Sequence, residues 1–164
     1  MNIMAISKFP FKGKPNNYAV VNENLSRSAQ PNKEDFVWLK EQGVTDIINL
    51  RTMVIGAIDF NEKKEVENAG MNYHNIPSLT KEPNSSNVNK FLKLVDEISA
   101  RGGKAHIHCK AGADRTGMYA FIYKAIKGIG TLAENEREWV ELGHDTKIYP
   151  DLRNWAKNFI KTLK

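Results

Sequence analysis

Cysteine is almost absent from this 164-residue chain: Cys109 stands alone. One thiol excludes an internal disulfide and any metal site built on several thiolates. Long apolar runs are missing too, and no segment approaches the roughly 20 residues that a membrane-spanning helix needs, so no stable membrane insertion is expected. There is no internal repeat and no low-complexity tract. Charge of one sign is only mildly in excess, with 24 Lys and Arg against 19 Asp and Glu for a net +5. That favours anionic partners without selecting one. The basic residues do not interleave with aromatics as a groove for a nucleic-acid strand requires, so no nucleic-acid partner is expected. Residues 1–15 mix Ile3, Met4 and Ile6 with Lys8, Lys12 and Lys14 and lack the apolar core and cleavage site of an export signal. They read as an N-terminal arm, with a cytoplasmic setting and a monomer expected.

What is present is the composition of an ordinary folded domain, 41% apolar and 26% charged. The length suits one core and is short for two, so residues 16–164 are expected to form a single domain. Tyr18–Val21 and Leu25–Ser28 read as short strands. Pro31-Asn32 opens a helix that stops at Gly43, and the β-branched run Thr45–Leu50 reads as a buried strand. Glu62–Asn68 reads as a helix and Met71–Ile76 as a strand. The polar stretch Thr80–Asn89 is a loop leading into an amphipathic helix on Val88, Phe91, Leu92, Val95 and Ile98, ended by Gly102-Gly103. Lys104–His108 is the next strand. Thr116–Lys127 reads as a core helix through Met118, Phe121, Ile122, Ala125 and Ile126, then come Leu132–Leu142 and a last helix presenting Leu152, Trp155, Ala156, Phe159, Ile160 and Leu163. Alternating strands and helices imply an α/β sheet covered on both faces, with ligands at the carboxyl ends of its strands.

Cys109 falls at such an end. Five residues separate it from Arg115, and a loop of that length between a strand and a helix can turn successive amides inward as a nest for a tetrahedral anion. Gly112 supplies backbone freedom where a positive φ is needed, and Gly117 lets the helix start pack closely. Arg115 adds a planar fork for two phosphoryl oxygens. Lys110, Ala111, Gly112, Ala113, Asp114 and Arg115 would therefore line a phosphate site, with Cys109 as nucleophile. The chemistry implied is two displacements through a phosphocysteine, with Arg115 and the amides stabilising the equatorial oxygens and Thr116 donating its hydroxyl to sulfur. It calls for no metal and no cofactor.

The run His108-Cys109-Lys110-Ala111-Gly112-Ala113-Asp114-Arg115-Thr116-Gly117 resembles the signature of the protein tyrosine phosphatase superfamily. The order of the chain is similar to that of its compact dual-specificity branch: Ser26-Arg27-Ser28-Ala29-Gln30-Pro31, a strand ending Asn49-Leu50-Arg51, a loop after Ile76-Pro77, then the signature. The resemblance implies that family's single-domain fold, a mostly parallel sheet of about five strands flanked by helices. It also implies activity on phosphotyrosine or on both kinds of phosphoprotein, and a His108 that orients the loop rather than acting as a base.

The family places an aspartate acid on a mobile loop upstream of the cysteine, yet between Tyr73 and Val95 the only carboxylate is Glu82. Asp96 falls inside a helix and reads as solvated. Asp114 resembles the in-loop aspartate of myotubularin-like and bacterial lipid phosphatases. It is either the acid, with Glu82 secondary, or a helix N-terminal carboxylate bracing the loop. Lys110-Ala111-Gly112 is similar to phosphatases of phosphoinositides, and a Lys-Glu-Pro stretch to relatives acting on inositol pyrophosphates, while Ala113 departs from the lysine found there. Phosphoinositide or inositol polyphosphate hydrolysis is thus the alternative, and silent capture of phosphoprotein a third reading. His106 reads as structural. Arg51, Lys81 and His74 are candidates for the rim of the site.

Overall fold

The computed structural model describes residues 13–52 and 58–163; most of the N-terminal arm, residues 1–12, lies outside them. Five strands form one sheet: β1 (Ala19–Asn22), β2 (Leu25–Ser28), β3 (Asp46–Asn49), β4 (Asn72–Asn75) and β5 (Ala105–His108). Their order is β1-β2-β5-β3-β4. Only β1 runs antiparallel, as the hairpin partner of β2; the other pairings are parallel. Among the described residues six helices surround the sheet: α1 (Lys33–Glu41), α2 (Glu62–Asn68), α3 (Ser85–Ala100), α4 (Asp114–Lys127), α5 (Leu132–Glu141) and α6 (Leu152–Thr162).

The period-2 alternation of β3 sets the two layers. Ile47 joins Phe36, Leu39, Val44, Val66 and Met71 under α1 and α2, whereas Ile48 joins Val95, Ile107, Phe121 and Phe159 under the other helices. β5 lies between β2 and β3 and is buried throughout. Its Ala105 and Ile107 enter the larger core, which leaves two histidines on the opposite face. Their polar atoms are provided for. His106 lies 2.7 Å from the hydroxyls of both Ser26 and Ser28, one at each ring nitrogen, and Tyr18 stacks on it at 6.0 Å.

The expected elements are present, but the helix expected after the loop Thr80–Asn89 already begins at Ser85, capped by Asn84, and two residues change face. Ile126 and Leu163 stand 41% and 47% exposed, because each lies at the last turn of its helix, past the neighbour that covers the rest. Helix α4 also begins two residues earlier than expected, so Asp114 and Arg115 occupy its first turn. Asn32, Asn61, Asn84 and Thr131 cap α1, α2, α3 and α5 with side-chain hydrogen bonds. Helix α4 has no such cap. Its first amides stay available at the carboxyl end of β5.

Candidate active site

The loop from β5 to α4 is shaped by what holds its carbonyls. The oxygen of His108 accepts from Leu50 N, that of Cys109 faces His108 Nδ1 at 3.1 Å, and that of Lys110 accepts from Gln30 N at 3.0 Å. Gly112 O accepts from Arg27 Nη2 at 2.6 Å and from Asn17 Nδ2 at 3.1 Å. Asn17 Nδ2 also approaches Ala111 O at 3.4 Å, and Trp139 Nε1 donates to Ala113 O at 3.1 Å. Six successive carbonyls are thus drawn outward by the scaffold. With the carbonyls so engaged, the amides of Lys110–Ala113 have no acceptor among the described residues and stay available to an anion. Gly112 has φ +70°, as expected, and a Cβ there would meet the backbone of Ser28 and Ala29 at 2.4–2.6 Å. Gly117 is constrained by a different neighbour than the sheet: a Cβ would lie 2.1 Å from Cδ1 of Trp139.

Cys109 sits at the floor of this nest, 2% exposed. Two guanidinium groups belong to its surroundings. Arg115 donates to Ser78 O at 3.3 Å, and the Ser78 hydroxyl is 2.7 Å from that of Tyr119, which keeps the 77–84 loop against α4. Arg27 is 3% exposed beneath the loop. Burial lowers its tendency to hold a proton, opposed by its electrostatic interaction with Glu138 and Cys109. Its Nε has no partner among the described residues.

A chain of buried and half-buried polar groups meets Cys109 from the other side. The Nε2 edge of His108 faces Glu62 Oε2 at 2.7 Å. Gln30 donates to Glu62 Oε1 at 2.6 Å, and Arg51 donates to Gln30 Oε1 at 2.9 Å. Both ring nitrogens of His108 thus face acceptor oxygens, Cys109 O and Glu62 Oε2, and Arg51 borders this chain through Gln30.

This geometry has known counterparts. The family described as DSP-PTPase phosphatase fused to NAD+ kinase matches residues 11–151. The chain belongs to that family. It is therefore a cysteine phosphatase of the protein tyrosine phosphatase superfamily, and relatives agree. The crystal structure of a DUF442 protein from Shewanella putrefaciens CN-32 superposes with a TM-score of 0.76, is 26% identical, and covers 97% of this chain and 96% of its own. The tyrosine-protein phosphatase CDC14 of Candida albicans is 25% identical over 80% of the chain and 25% of its own length. The catalytic domain of the PP-IP phosphatase SIW14 from S. cerevisiae shares the fold at TM-score 0.70 and 20% identity, covering 90% of this chain and 85% of its own. The chain spans about a quarter of the length of the curated relatives it matches.

The carboxylates near the Cys109 loop are placed unequally. Asp114 Oδ1 accepts from Asp145 N at 2.9 Å and faces His144 Nδ1 at 2.7 Å. Its Oδ2 makes no hydrogen bond among the described residues. His144 is buried, stacks on Trp139 at 4.5 Å, and leaves Nε2 without a partner. Glu82 is exposed and lines a recess shared with Ser78, Thr80, Arg115, Tyr119 and Leu152. Asp96 pairs with Lys127 on the surface, as a solvated residue. Thr116 is fully buried, but its hydroxyl has no partner among the described residues, so the expected bond to sulfur is not formed in this state. His74 is no part of the rim: it is turned 2.8 Å from Asp46 at the other end of the sheet. Lys81 is exposed on the 77–84 loop. Sequence reasoning missed Asn17, Arg27, Glu62, Trp139 and His144 as supports of the loop.

Proposed function

We propose that this phosphatase hydrolyses phosphate monoesters on proteins, phosphotyrosine or both classes of phosphorylated side chain, through a phosphocysteine. The substrate phosphate enters the nest with its oxygens on the Lys110–Arg115 amides and the Arg115 fork. The Cys109 sulfur forms a bond to phosphorus as the bond to the ester oxygen breaks. That leaving oxygen takes its proton from Asp114 Oδ2, the carboxylate oxygen left free by the Asp145 and His144 contacts, with Glu82 as the secondary acid. Water then attacks phosphorus, the carboxylate takes the water proton, and sulfur leaves as thiolate, with the Thr116 hydroxyl turning to meet it. Arg115 and the amides hold the equatorial charge in both steps.

The observation that carries the protein reading is the mixed charge around the loop. Arg115 and Lys110 in the loop and Lys81 on the 77–84 loop stand among the carboxylates of Asp114, Asp145 and Glu82, and position 113 is alanine. A polyanionic inositol phosphate is best held by cations alone, whereas a single phosphate on a peptide is satisfied by the nest. Lys110 and the Lys81-Glu82-Pro83 stretch favour the inositol alternative.

A panel of phosphotyrosine peptide, phosphoserine peptide, phosphoinositide and inositol pyrophosphate, assayed for wild type and Cys109→Ser, separates these readings. Highest kcat/KM on a phosphopeptide, abolished by Cys109→Ser, supports the proposal. Highest kcat/KM on an inositol phosphate overturns it in favour of the alternative. Binding of phosphopeptide without turnover by wild type overturns it in favour of silent capture.

A further inference from the structure

Beyond the phosphate nest, the site continues into a surface that the chemistry above does not use. The 77–84 loop touches Arg115 through Ser78 O. The segment between α5 and α6, residues 142–151, touches Asp114 through His144 and Asp145. Between these two loops runs a cavity of about 390 Å³ walled mainly by Ile148, Tyr149, Leu152 and Trp155, with Lys81 and Asp151 also on it. It shares Thr80, Pro83 and Leu152 with the recess that contains Arg115, so the two adjoin. Leu152 is its buried floor, and Trp155, stacked on Phe159 at 5.6 Å, is a fixed wall. Ile148 on its lip is 59% exposed, and Leu79, which lines the neighbouring recess with Arg115, is 55% exposed. Apolar side chains left in water stand to gain from being covered.

We infer that this cleft is a specificity site for an apolar side chain, aliphatic or aromatic, flanking the phosphorylated residue of a protein substrate. The inference rests on the protein-substrate reading and deepens it. Its physical basis is that the cavity adjoins the recess of Arg115. A peptide whose phosphate sits on Arg115 must lay its neighbouring residues over one of the surrounding loops, and this is the side on which Ile148, Tyr149 and Trp155 face Pro83. A hydrated inositol ring has no group that gains from those walls. A peptide side chain of Leu or Phe size does, by an amount that corresponds to about tenfold or more in kcat/KM when most of its surface is covered.

The test is a set of phosphotyrosine peptides in which each flanking position is in turn Leu, Phe, Ser or Asp, with a simple aryl phosphate and an inositol pyrophosphate assayed alongside. The expected result is a preference of about tenfold for Leu or Phe over Ser at one flanking position. Ile148→Asp should lower the ratio of kcat/KM for that peptide to kcat/KM for the aryl phosphate by a similar factor, and Ile148→Ala by less. Peptide turnover with no flanking preference overturns this inference and leaves the protein reading standing. A preference that Ile148→Asp leaves unchanged also overturns it, since the preference then arises elsewhere. Inositol phosphate turnover that exceeds every peptide removes the protein reading and this inference with it.

Discussion

The carboxylate of Glu62 meets the Nε2 edge of His108 at 2.7 Å across 46 residues of sequence, and both groups are buried. The opposite edge of the same ring holds the carbonyl of Cys109. Removing the carboxylate leaves a buried ring nitrogen unpaired, at a cost of about 1–3 kcal/mol. It also frees the ring that aims the nucleophile, and misplacement near 1 Å can cost about 100-fold in rate. Glu62→Ala should therefore lower both the urea midpoint and kcat on an aryl phosphate. Glu62→Gln, which keeps an oxygen in place, should fall between it and wild type.

Arg27 separates stability from activity. Its guanidinium is buried, donates to Gly112 O, lies near Glu138 and Cys109, and leaves Nε without a partner among the described residues. Arg27→Met fills the space with an apolar side chain, so the melting temperature is expected to change less than the activity. The peptide after Gly112 loses its strongest anchor, however, so kcat/KM should fall about 10-fold or more. Competitive inhibition by inorganic phosphate should weaken in parallel.

His106 makes stability depend on pH. Burial pushes its imidazole well below the ordinary histidine value, with His108 and Lys104 adding to the effect. The unfolded chain takes up a proton below about pH 6.5 while the folded chain does not. Between the folded value and that point the unfolded state binds more protons, so stability falls as pH falls, by at most about 1.4 kcal/mol per unit. Urea midpoints at pH 7.5, 6.0 and 5.0 should decline in wild type. His106→Gln should be less stable at pH 7.5 and decline less steeply.

The contact of Gly117 with Trp139 can be probed from both sides. Gly117→Ala places a methyl group inside the indole, so overpacking of about 1–3 kcal/mol is expected, together with loss of the Trp139 bond to Ala113 O. Trp139→Phe relieves the crowding but removes the donor. The double variant should melt higher than Gly117→Ala alone, while its activity stays low.

The acid can be assigned from pH–rate profiles on a poor alkyl leaving group. Asp114→Asn should remove the basic-limb dependence and reduce kcat by about 100-fold or more. Glu82→Gln should leave the profile largely in place. If only the Glu82 change flattens the basic limb, the assignment of Asp114 is wrong.

The strands, the order of the elements and the nest itself were legible because local chemistry marks them. Gly102-Gly103 and Gly112 bracket β5, and the Glu62–Asn68 bounds follow from the helical run before Gly70. The supports of the nest were not legible, since Asn17 meets Leu142 O across 125 residues and Arg27 meets Gly112 O across 85. Local periodicity carries no information over such spans. Two faint signals existed. A charged Arg27 inside a short buried strand needs an acceptor, and a glycine at position 117 in the first turn of a helix hints at something bulky close by.

The outward-facing carbonyls of residues 108–113 are held by donors from the N-terminal segment, β2 and the turn after it, the end of β3, and α5. The anion site is consequently a property of the assembled chain rather than of its ten-residue signature. A peptide spanning residues 105–118 should have no measurable affinity for phosphate. Conversely, an oxyanion that fills the nest binds only the fully assembled state, so it should raise the melting temperature of the whole domain in step with its occupancy.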